Sequence, residues 1–373
     1  MKKGLRVGVL SLLTVALAFF YAQGFSVKDA RPLAAARERT VLRVWVTESF
    51  MGSLSVISRA AKRFEQQNPG VNVRIRYAQA DEYDREGTVL PDVALYMPGV
   101  FDAPQDVFVP LVPDEQVRTA FLAAGRWQDA VYGLPVLAGA YGLMINDALY
   151  DGDFSLDSLE KAAKPAQGKK QPAVSALECP VDDSLCFPAA LIAQGGGLIG
   201  GFPQGLRHEA AQGVLSGEFL SLSRETAFTR FRQGRTASLL CTQREVRRMS
   251  ALQEAGKGFD FSVLTPQQAF CDQILFCSVV RGGQEELATK FAAQLLEEAV
   301  QRELAGFGFF SVIEGVTIYN EGEMPRLYAM EQGLLAPSLI CMNAYAGEKA
   351  ALEEQAIAAL EGGGKDLLAI PFY

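Results

Sequence analysis

One stretch of sequence decides the fold: residues 64–77, which read FEQQNPGVNVRIRY. Asn68, Pro69 and Gly70 form a strong helix-ending signal, because proline disfavours a helical conformation in the residue before it. From Val71 to Tyr77 apolar and polar residues alternate, with the period of two that is typical of a half-buried strand. The stretch therefore predicts the end of a helix followed at once by a strand.

The residues on either side complete a β-α-β unit. Residues 42–46 alternate and contain β-branched and aromatic side chains, which predicts a strand, and Ser53 can cap the helix that ends at Asn68. Such a unit implies parallel strands and a right-handed crossover. Residues 91–96 predict a further short buried strand. Because open α/β sheets bind ligands at the carboxyl ends of their strands, we expect the loops after residues 46 and 96 to lie beside a cleft.

The apolar run over residues 136–146 contains Gly139 and Gly142. Glycine inside a strand marks a bend or a close backbone approach, so we expect the chain to bend here or to cross between two lobes. Helices and strands are also predicted farther along the chain. The helices cover 155–163, 187–194, 225–233, 285–304, 324–332 and 347–360, and the strands cover 235–241 and 274–280.

The beginning of the sequence predicts an export signal. Three basic residues precede an apolar run over 7–22, and Ala22 and Gly24 are small residues at the positions that a signal peptidase reads. We predict a signal peptide over 1–24 and a linker over 25–40. An uncleaved membrane anchor is the alternative, although the run is short for a span of about 20 residues. Cleavage would change the net charge from −8 to −11, which suits an exported periplasmic or cell-surface-associated protein.

Six cysteines, an even number, fit an oxidising compartment. Cys179 and Cys186 are separated by turn-forming residues, and we predict a disulfide between them. Cys271 and Cys277 lie in a strand-like run, where six residues span about 20 Å and exceed the reach of a disulfide. The other cysteines are predicted to be buried small hydrophobic residues: Cys241, Cys271, Cys277 and Cys341. A metal site built from these four is the alternative.

Composition and charge exclude several classes of protein. Hydrophobic residues make up 49% and charged residues 21% of the chain, which is a globular composition with a sizeable core. The net charge of −8 argues against a nucleic-acid partner, since phosphate neutralisation needs clustered Lys and Arg. His208 is the only histidine, so His-Cys zinc sites and most Ser-His-Asp arrangements are excluded. We expect no enzyme, no metal and no cofactor. An exported hydrolase with a carboxylate pair is the remote alternative.

Several short segments follow one another in a characteristic order. FEQQNPGVNV at 64–73 follows the strand at 42–45, and the later segments are PDV at 91–93, GLP through MIN at 133–146, 154–159, QGG at 194–196, FRQGRTAS at 231–238, and the helix and turn at 291–310. Together they resemble the family-1, carbohydrate-type extracellular solute-binding proteins of ABC importers, which are similar to the maltose-binding protein. The resemblance covers residues 42–360.

The resemblance implies a two-lobed periplasmic-binding-protein α/β fold with hinge crossings between the lobes. Lobe one would comprise 41–139 plus 275–314, and lobe two 140–273 plus 315–373. The implied function is capture of a small solute, a sugar or a sugar-derived acid or phosphate, and its delivery to ABC permease subunits by a monomer. The membrane would be contacted only through an uncleaved N-terminal segment. A membrane-tethered sensor or scaffold with the same fold is the alternative.

Strand ends and the resemblance together predict the ligand-binding residues: Trp45, Thr47, Glu48, Ser49, Tyr96, Tyr141, Arg244 and Tyr345. Tyr96 stands where the maltose-binding type has a tryptophan that contacts ligand. Two features depart from the family. The usual lipobox cysteine is missing, which leaves the mode of retention open. In place of the common Gly-x-Trp, this chain has Thr242, Gln243 and Arg244, and a guanidinium suits a carboxylate or a phosphate.

Overall fold

The computed structural model describes residues 40–47, 52–112, 115–149, 175–178, 222–264, 270–271, 273–334 and 338–339. Several predicted segments lie outside these residues: the signal peptide at 1–24, and the helices at 155–163, 187–194 and 347–360. Among the helices that are described, none is long and apolar enough to cross a membrane.

The described chain alternates between strands and helices. The strands are β1 Thr40–Val46, β2 Val71–Tyr77, β3 Val93–Tyr96, β4 Arg126–Trp127, β5 Ala130–Val131, β6 Leu134–Ala138, β7 Tyr141–Asn146, β8 Ser175–Glu178, β9 Thr236–Thr242, β10 Phe261–Leu264, β11 Phe270–Cys271, β12 Ile274–Val279 and β13 Ser338–Leu339. The helices are α1 Ser53–Gln67, α2 Pro104–Val107, α3 Thr119–Ala124, α4 Arg224–Arg232, α5 Gln243–Glu254, α6 Glu285–Leu295, α7 Glu298–Glu303 and α8 Pro325–Gly333. Two short 3₁₀ helices are Ala80–Tyr83 and Leu304–Phe307.

The first of two larger sheets has five strands in the order β2-β1-β3-β12-β6. β1 pairs in parallel with β2 and β3, and α1 connects β1 to β2, so the predicted β-α-β unit is confirmed. α1 buries the face that contains Ile57 and Phe64, and the Phe64 ring meets Phe291 of α6 edge to face at 5.3 Å between centroids. The helix ends at Asn68, whose backbone N–H donates to the Phe64 carbonyl at 2.9 Å.

Asp92 fixes the start of β3 within this sheet. Its carboxylate is buried and accepts hydrogen bonds from the backbone N–H of Arg43 on β1 at 2.7 Å and of Gln284 before α6 at 2.9 Å. A buried carboxylate is tolerated because these donors replace its water shell. The Pro-Asp-Val segment of the sequence therefore joins three separate parts of the chain.

The second larger sheet has four strands in the order β10-β7-β9-β8. β7 pairs antiparallel with β9 and β10, and β8 pairs parallel with β9. β9 is buried along its whole length, and α5 begins at the residue that follows it. Two-stranded ladders join β11 to β13 and β4 to β5.

The chain passes from the first sheet to the second at Gly139 and Ala140, which confirms the crossing that was one of two predicted alternatives. The Gly139 N–H donates to the Gln273 carbonyl at 2.8 Å, and the Ala140 N–H donates to the Gln243 side-chain oxygen at 2.8 Å. A side chain at Gly139 would lie 2.6 Å from Gln273 Oε1 and 2.8 Å from Gln243 Nε2. Glycine suits this close approach, and the hydrogen bond from Gly139 to Gln273 holds the chain segments at 139–140 and 273 side by side.

The long helix predicted over 285–304 is wrong in one respect, because it is broken between α6 and α7. Glu297 adopts an extended backbone conformation, with φ −58° and ψ 135°. The break places the fully buried Gln301 amide where its Nε2 donates to the carbonyls of Leu295 and Val136, both at 2.8 Å. Its Oε1 accepts from Ser311 Oγ at 2.9 Å. A continuous helix would satisfy the Leu295 carbonyl along its own axis, and helical periodicity in the sequence does not reveal this alternative.

The segment 313–319 makes a further passage between the parts of the molecule that hold the two sheets. On one side the buried Arg118 donates to the carbonyls of Ile313 at 3.3 Å and Val316 at 3.2 Å. On the other side the buried Glu331 of α8 accepts from the N–H groups of Ile318 at 2.8 Å and Tyr319 at 2.9 Å. Burial raises the pKa of Glu331 above its ordinary value, although the two N–H donors and the Arg118 charge act in the opposite direction. The predicted lobe boundaries stay a prediction.

Candidate functional site

The first turn of α5 carries Arg244, the one predicted ligand contact among the described residues that lines either of the two cavities reported below. Thr242 caps this helix: the Arg244 backbone N–H donates to Thr242 Oγ1 at 3.3 Å, and Glu245 accepts from the Thr242 N–H at 3.0 Å and hydroxyl at 2.6 Å. This reciprocal arrangement is a capping box. It starts the helix immediately after the buried strand β9 and presents Arg244 at the helix surface.

The cavity beside Arg244 has a volume of about 560 Å³. It is lined by residues from distant parts of the chain: Gly52, Arg244, Arg247, Arg248, Ser250, Ala251, Glu254, Phe307, Met324 and Leu327. Gly52 caps the start of α1, which follows the first sheet's β1. In contrast, α5 follows the second sheet's β9, and α8 packs against α5. The cavity therefore lies where the two sheet-bearing parts meet.

Phe307 forms an aromatic wall opposite α5. The Arg59 guanidinium of α1 lies over its ring, 5.0 Å from the centroid. One hydrogen bond joins this wall to α5, from Arg247 Nη2 to the Gly306 carbonyl at 2.8 Å. An aromatic face beside polar side chains is the usual design of a small-molecule site, because the ring provides apolar contact and the polar groups fix orientation.

A smaller cavity of about 170 Å³ adjoins the first along α5 and α8. The two cavities share four lining residues: Ser250, Glu254, Met324 and Leu327. Arg326 lines the smaller one, and its guanidinium lies 3.9 Å from the centroid of the Phe261 ring. The open space thus extends along the helix beyond the volume next to Arg244.

The predicted contacts at the end of β1 and in the residue after it, Trp45 and Thr47, belong instead to a packed aromatic group. Trp45 is only 3% exposed and meets the Tyr83 ring edge to face at 5.1 Å. The Arg76 guanidinium covers the Trp45 ring at 3.9 Å from its centroid. Thr47 donates its hydroxyl to the Tyr83 oxygen at 3.1 Å. Neither Trp45 nor Thr47 lines the two cavities, and their role as ligand contacts stays a prediction.

Tyr96 is buried in the same aromatic group. Its ring stacks on Phe108 at 5.3 Å with an interplanar angle of 10° and meets Phe101 edge to face at 4.8 Å. Its hydroxyl is bonded to Ser278 Oγ of β12 at 2.9 Å. Burial raises the pKa of the Tyr96 phenol. The ring and the hydroxyl are both occupied by protein neighbours, so a solute contact through Tyr96 also stays a prediction.

The remaining predicted residues divide between a buried position and the part of the chain outside the described residues. Tyr141 is buried at the start of β7, where it pairs with Thr242. Glu48, Ser49, Tyr345 and the Cys179–Cys186 pair all lie outside the described residues. Their predicted roles therefore stay predictions.

Two further cysteine predictions are confirmed. Cys241 and Cys277 are free and fully buried thiols, and Cys241 Sγ contacts the Gly142 carbonyl oxygen at 3.3 Å. Burial raises the pKa of both thiols. Within the described residues, no group of three or more His, Cys, Asp and Glu side chains is placed to hold a metal ion.

Sequence reasoning missed most of the cavity wall. Phe307 lies within the segment that carries the family resemblance, and its position between Gly306 and Gly308 is the signal that could have drawn attention to it. Glycines on both sides allow the backbone to turn and leave the ring projecting. Arg247 and Met324 gave no such signal, because their place in the cavity depends on how α5 and α8 pack together.

Solved structures show which known proteins share this fold. The GacH receptor of Streptomyces glaucescens, studied with acarbose, is 15% identical with a TM-score of 0.63, covering 87% of this chain and 94% of its own. The maltose/maltodextrin-binding domain MalE of Bdellovibrio bacteriovorus, bound to maltotriose, is 18% identical with a TM-score of 0.60, covering 87% and 95%. An ABC substrate-binding protein of Listeria monocytogenes in complex with cycloalternan is 15% identical with a TM-score of 0.61, covering 88% and 95%.

These likenesses confirm the predicted fold class, the two-lobed periplasmic-binding-protein α/β fold. The neighbours are the carbohydrate-binding type that the sequence resembles. No family model matches the chain, and no curated protein matches it.

Proposed function

We propose that this chain is an extracytoplasmic solute-binding protein that captures a small carbohydrate-type solute and delivers it to an ABC permease. One observation carries the proposal: the cavity of about 560 Å³ has walls from both sheet-bearing parts of the chain, and the Arg247–Gly306 hydrogen bond joins those walls. A volume of this size accommodates a small organic molecule, since ligand sites typically measure about 300–1,000 Å³.

The chemistry of the walls supports a sugar-like solute. Phe307, Met324 and Leu327 supply apolar contact, and the side chains of Ser250 and Glu254 supply acceptors for hydroxyl groups. The structural neighbours bind maltotriose, cycloalternan and acarbose, which agrees with this class. In this proposal the protein acts without covalent chemistry or a cofactor, as an exported monomer. Capture includes a hinge motion about the crossings at 139–140 and 313–319.

The proposal is tested by thermal unfolding and solution scattering on the same samples. A solute at free concentration L that binds the folded state stabilises it by RT ln(1 + L/Kd), so the melting temperature rises with the logarithm of the solute concentration above Kd. We expect a member of a panel of neutral, oxidised and phosphorylated mono- and oligosaccharides to raise it, and to reduce the radius of gyration through closure. A panel that leaves both quantities unchanged would contradict the proposal. A tight ligand without a change in radius would contradict the hinge motion only.

A further inference from the structure

The cavity is electrically polarised along α5. Arg244, Arg247 and Arg248 lie in the first half of the helix, and Glu254 is its last residue. At a rise of 1.5 Å per residue, the ten steps from Arg244 to Glu254 span about 15 Å. The helix dipole has the same direction, with its positive end at Arg244. A solute lying along this wall meets positive charge at one end and a carboxylate at the other.

Two of the three guanidiniums are already engaged by the protein. Arg248 forms two hydrogen bonds with the Glu225 carboxylate of α4, both 2.7 Å long, and these bonds lower the pKa of Glu225. Arg247 donates to the Gly306 carbonyl. Both side chains therefore have a structural partner that a solute would have to displace.

The Arg244 guanidinium differs from these two. Within the described ranges the Arg244 side chain forms no hydrogen bond and no ion pair. Its charge contributes to the lowered pKa of Glu225, but the carboxylate of Glu225 is hydrogen-bonded to Arg248. Arg244 is half-buried at the wall of a cavity that apolar side chains such as Leu327 also line. A charge beside low-dielectric walls interacts more strongly with a partner than a fully solvated charge does. Its five donors form a planar fork that matches a carboxylate or a phosphate.

The negative net charge of the chain makes a local cation such as Arg244 important for binding an anionic solute. With a net charge of −8, the protein repels anions on average, so an anionic solute needs a local positive site in order to bind. A neutral solute needs none, and the half-buried guanidinium, which has no hydrogen-bonded partner among the described residues, would then only add a desolvation cost. The cavity therefore favours a solute that brings the missing charge with it.

We infer that the solute carries an anionic group, a carboxylate or a phosphate, and that Arg244 binds this group. The rest of the solute lies between Phe307 and α5, with its hydroxyl groups toward Glu254. The inference rests on the proposed function and specifies the class of solute. It also gives the solute a direction in the cavity, because the anionic end would be repelled by Glu254.

Matched sugars test the inference. Calorimetry at one fixed ionic strength compares glucose with glucuronate and glucose 6-phosphate, and galactose with galacturonate and galactose 6-phosphate. We expect at least one charged member to bind wild-type protein at least about tenfold more tightly than its neutral counterpart. Arg244→Ala should weaken the charged ligand by about 30-fold or more, since truncating one partner of a desolvated charge pair costs that much. It should leave the neutral sugar within about twofold.

Two variants serve as comparison. Arg244→Lys keeps the charge and should recover only part of the affinity, because a point charge does not copy the planar fork. Arg235→Ala removes an exposed arginine at the opposite end of β9 and should leave every Kd unchanged. Comparing the uronate with the phosphate then identifies which anion the site takes.

Each other result has a distinct meaning. If neutral and charged members bind equally, or if Arg244→Ala keeps wild-type affinity for the charged one, the inference is overturned and the proposed function stands. If no member of either set, and no oligosaccharide of the thermal panel, binds at all, the proposed function fails and the inference fails with it.

Discussion

Two regions of this molecule occupy corresponding places and differ in what fills them. The carboxyl ends of the interior strands β1 and β3 lie along one side of the first sheet, and the carboxyl end of the interior strand β9 lies along one side of the second. We call each of these sides the edge of its sheet. At the first edge, aromatic rings close over one another, with Tyr96 between Phe101 and Phe108. At the second edge, α5 begins at once and leaves charged side chains beside open space.

The difference follows from the residues that come after each strand. Aromatic pairs gain about 0.5–1.5 kcal/mol beyond their buried area, so a loop that supplies rings folds back and seals the edge. A charged guanidinium is costly to bury without a partner, so a helix with Arg244 in its first turn keeps that surface accessible. The place of a strand end in the topology thus locates a possible site, and the side chains decide whether it is a site or a part of the core.

The largest effect on stability is expected at Tyr96, and it tests whether the aromatic group at the first edge is part of the hydrophobic core. Tyr96→Ala should lower the free energy of unfolding by about 3–5 kcal/mol, as for other large aromatic residues truncated in a core. Tyr96→Phe should cost about 1 kcal/mol, because only the hydrogen bond to Ser278 is lost. Urea unfolding of both variants measures this. Arg244→Ala, the matched change at the second edge, should stay within about 0.5 kcal/mol. Equal effects at Tyr96 and Arg244 would remove the distinction between the edges.

The next effect concerns how the second edge is held in place. Glu245→Ala should cost about 1–2 kcal/mol, because it removes the carboxylate that accepts from the Thr242 N–H and hydroxyl and completes the capping box. Glu254→Ala, at the exposed end of the same helix, is the control and should stay within about 0.5 kcal/mol in the absence of solute. Thermal unfolding compares the two. A stable Glu245→Ala variant would mean that α5 does not depend on this cap.

Much of the first sheet could be predicted from the sequence, but little of the cavity could. The alternation at 71–77 and the Asn68-Pro69-Gly70 signal specify β2 and the end of α1, because these are local properties of the chain. The glycine pair around 139–142 indicated the crossing for the same reason. The sequence could not show whether Tyr96 is a ligand contact or a core residue, because its burial depends on the tertiary packing of Phe101 and Phe108 against its ring. Phe307 lies opposite α5 only through tertiary packing, which no periodicity records.

A third prediction concerns the passage that links the two regions. The raised pKa of Glu331 means that the folded protein retains this proton to a higher pH than the unfolded chain, whose ordinary value is 4.5. Its contribution to stability is therefore fully present below about pH 4.5 and is lost as pH rises through the folded pKa. As pH rises from about 4.5 through the folded pKa of Glu331, the free energy of unfolding of the wild type should fall relative to that of Glu331→Gln, by at most about 1.4 kcal/mol per pH unit.

Urea unfolding at several pH values measures this difference between wild type and Glu331→Gln. Glu323→Gln, at an exposed carboxylate just before the same helix, is the control and should run parallel to wild type. A difference between wild type and Glu331→Gln that grows in favour of wild type with rising pH would contradict the prediction.

The smallest effect concerns the contact that joins α5 to the Phe307 wall. Arg247→Ala removes the exposed hydrogen bond to the Gly306 carbonyl and should cost about 0.5–1 kcal/mol. Because this bond joins the two sides of the cavity, the variant without solute should also have a slightly larger radius of gyration by scattering. Arg232→Ala, an exposed arginine on α4, should change neither quantity. An unchanged radius in Arg247→Ala would show that the contact does not hold the walls together.

The position of β12 has a consequence for synthesis on the ribosome. This strand lies between β3 and β6 and pairs antiparallel with both, yet well over a hundred residues separate it from β6 in the sequence. At a translation rate of about 5–20 residues per second, the first sheet waits roughly 7 to 27 seconds after β6 for its missing strand. During that interval the facing edges of β3 and β6 expose unpaired backbone groups, which nascent-chain chaperones would have to shield. The first sheet thus begins to form early but is completed only when β12, its last strand in the sequence, has been synthesised. N-terminal fragments that end before Ile274 lack this strand and should aggregate.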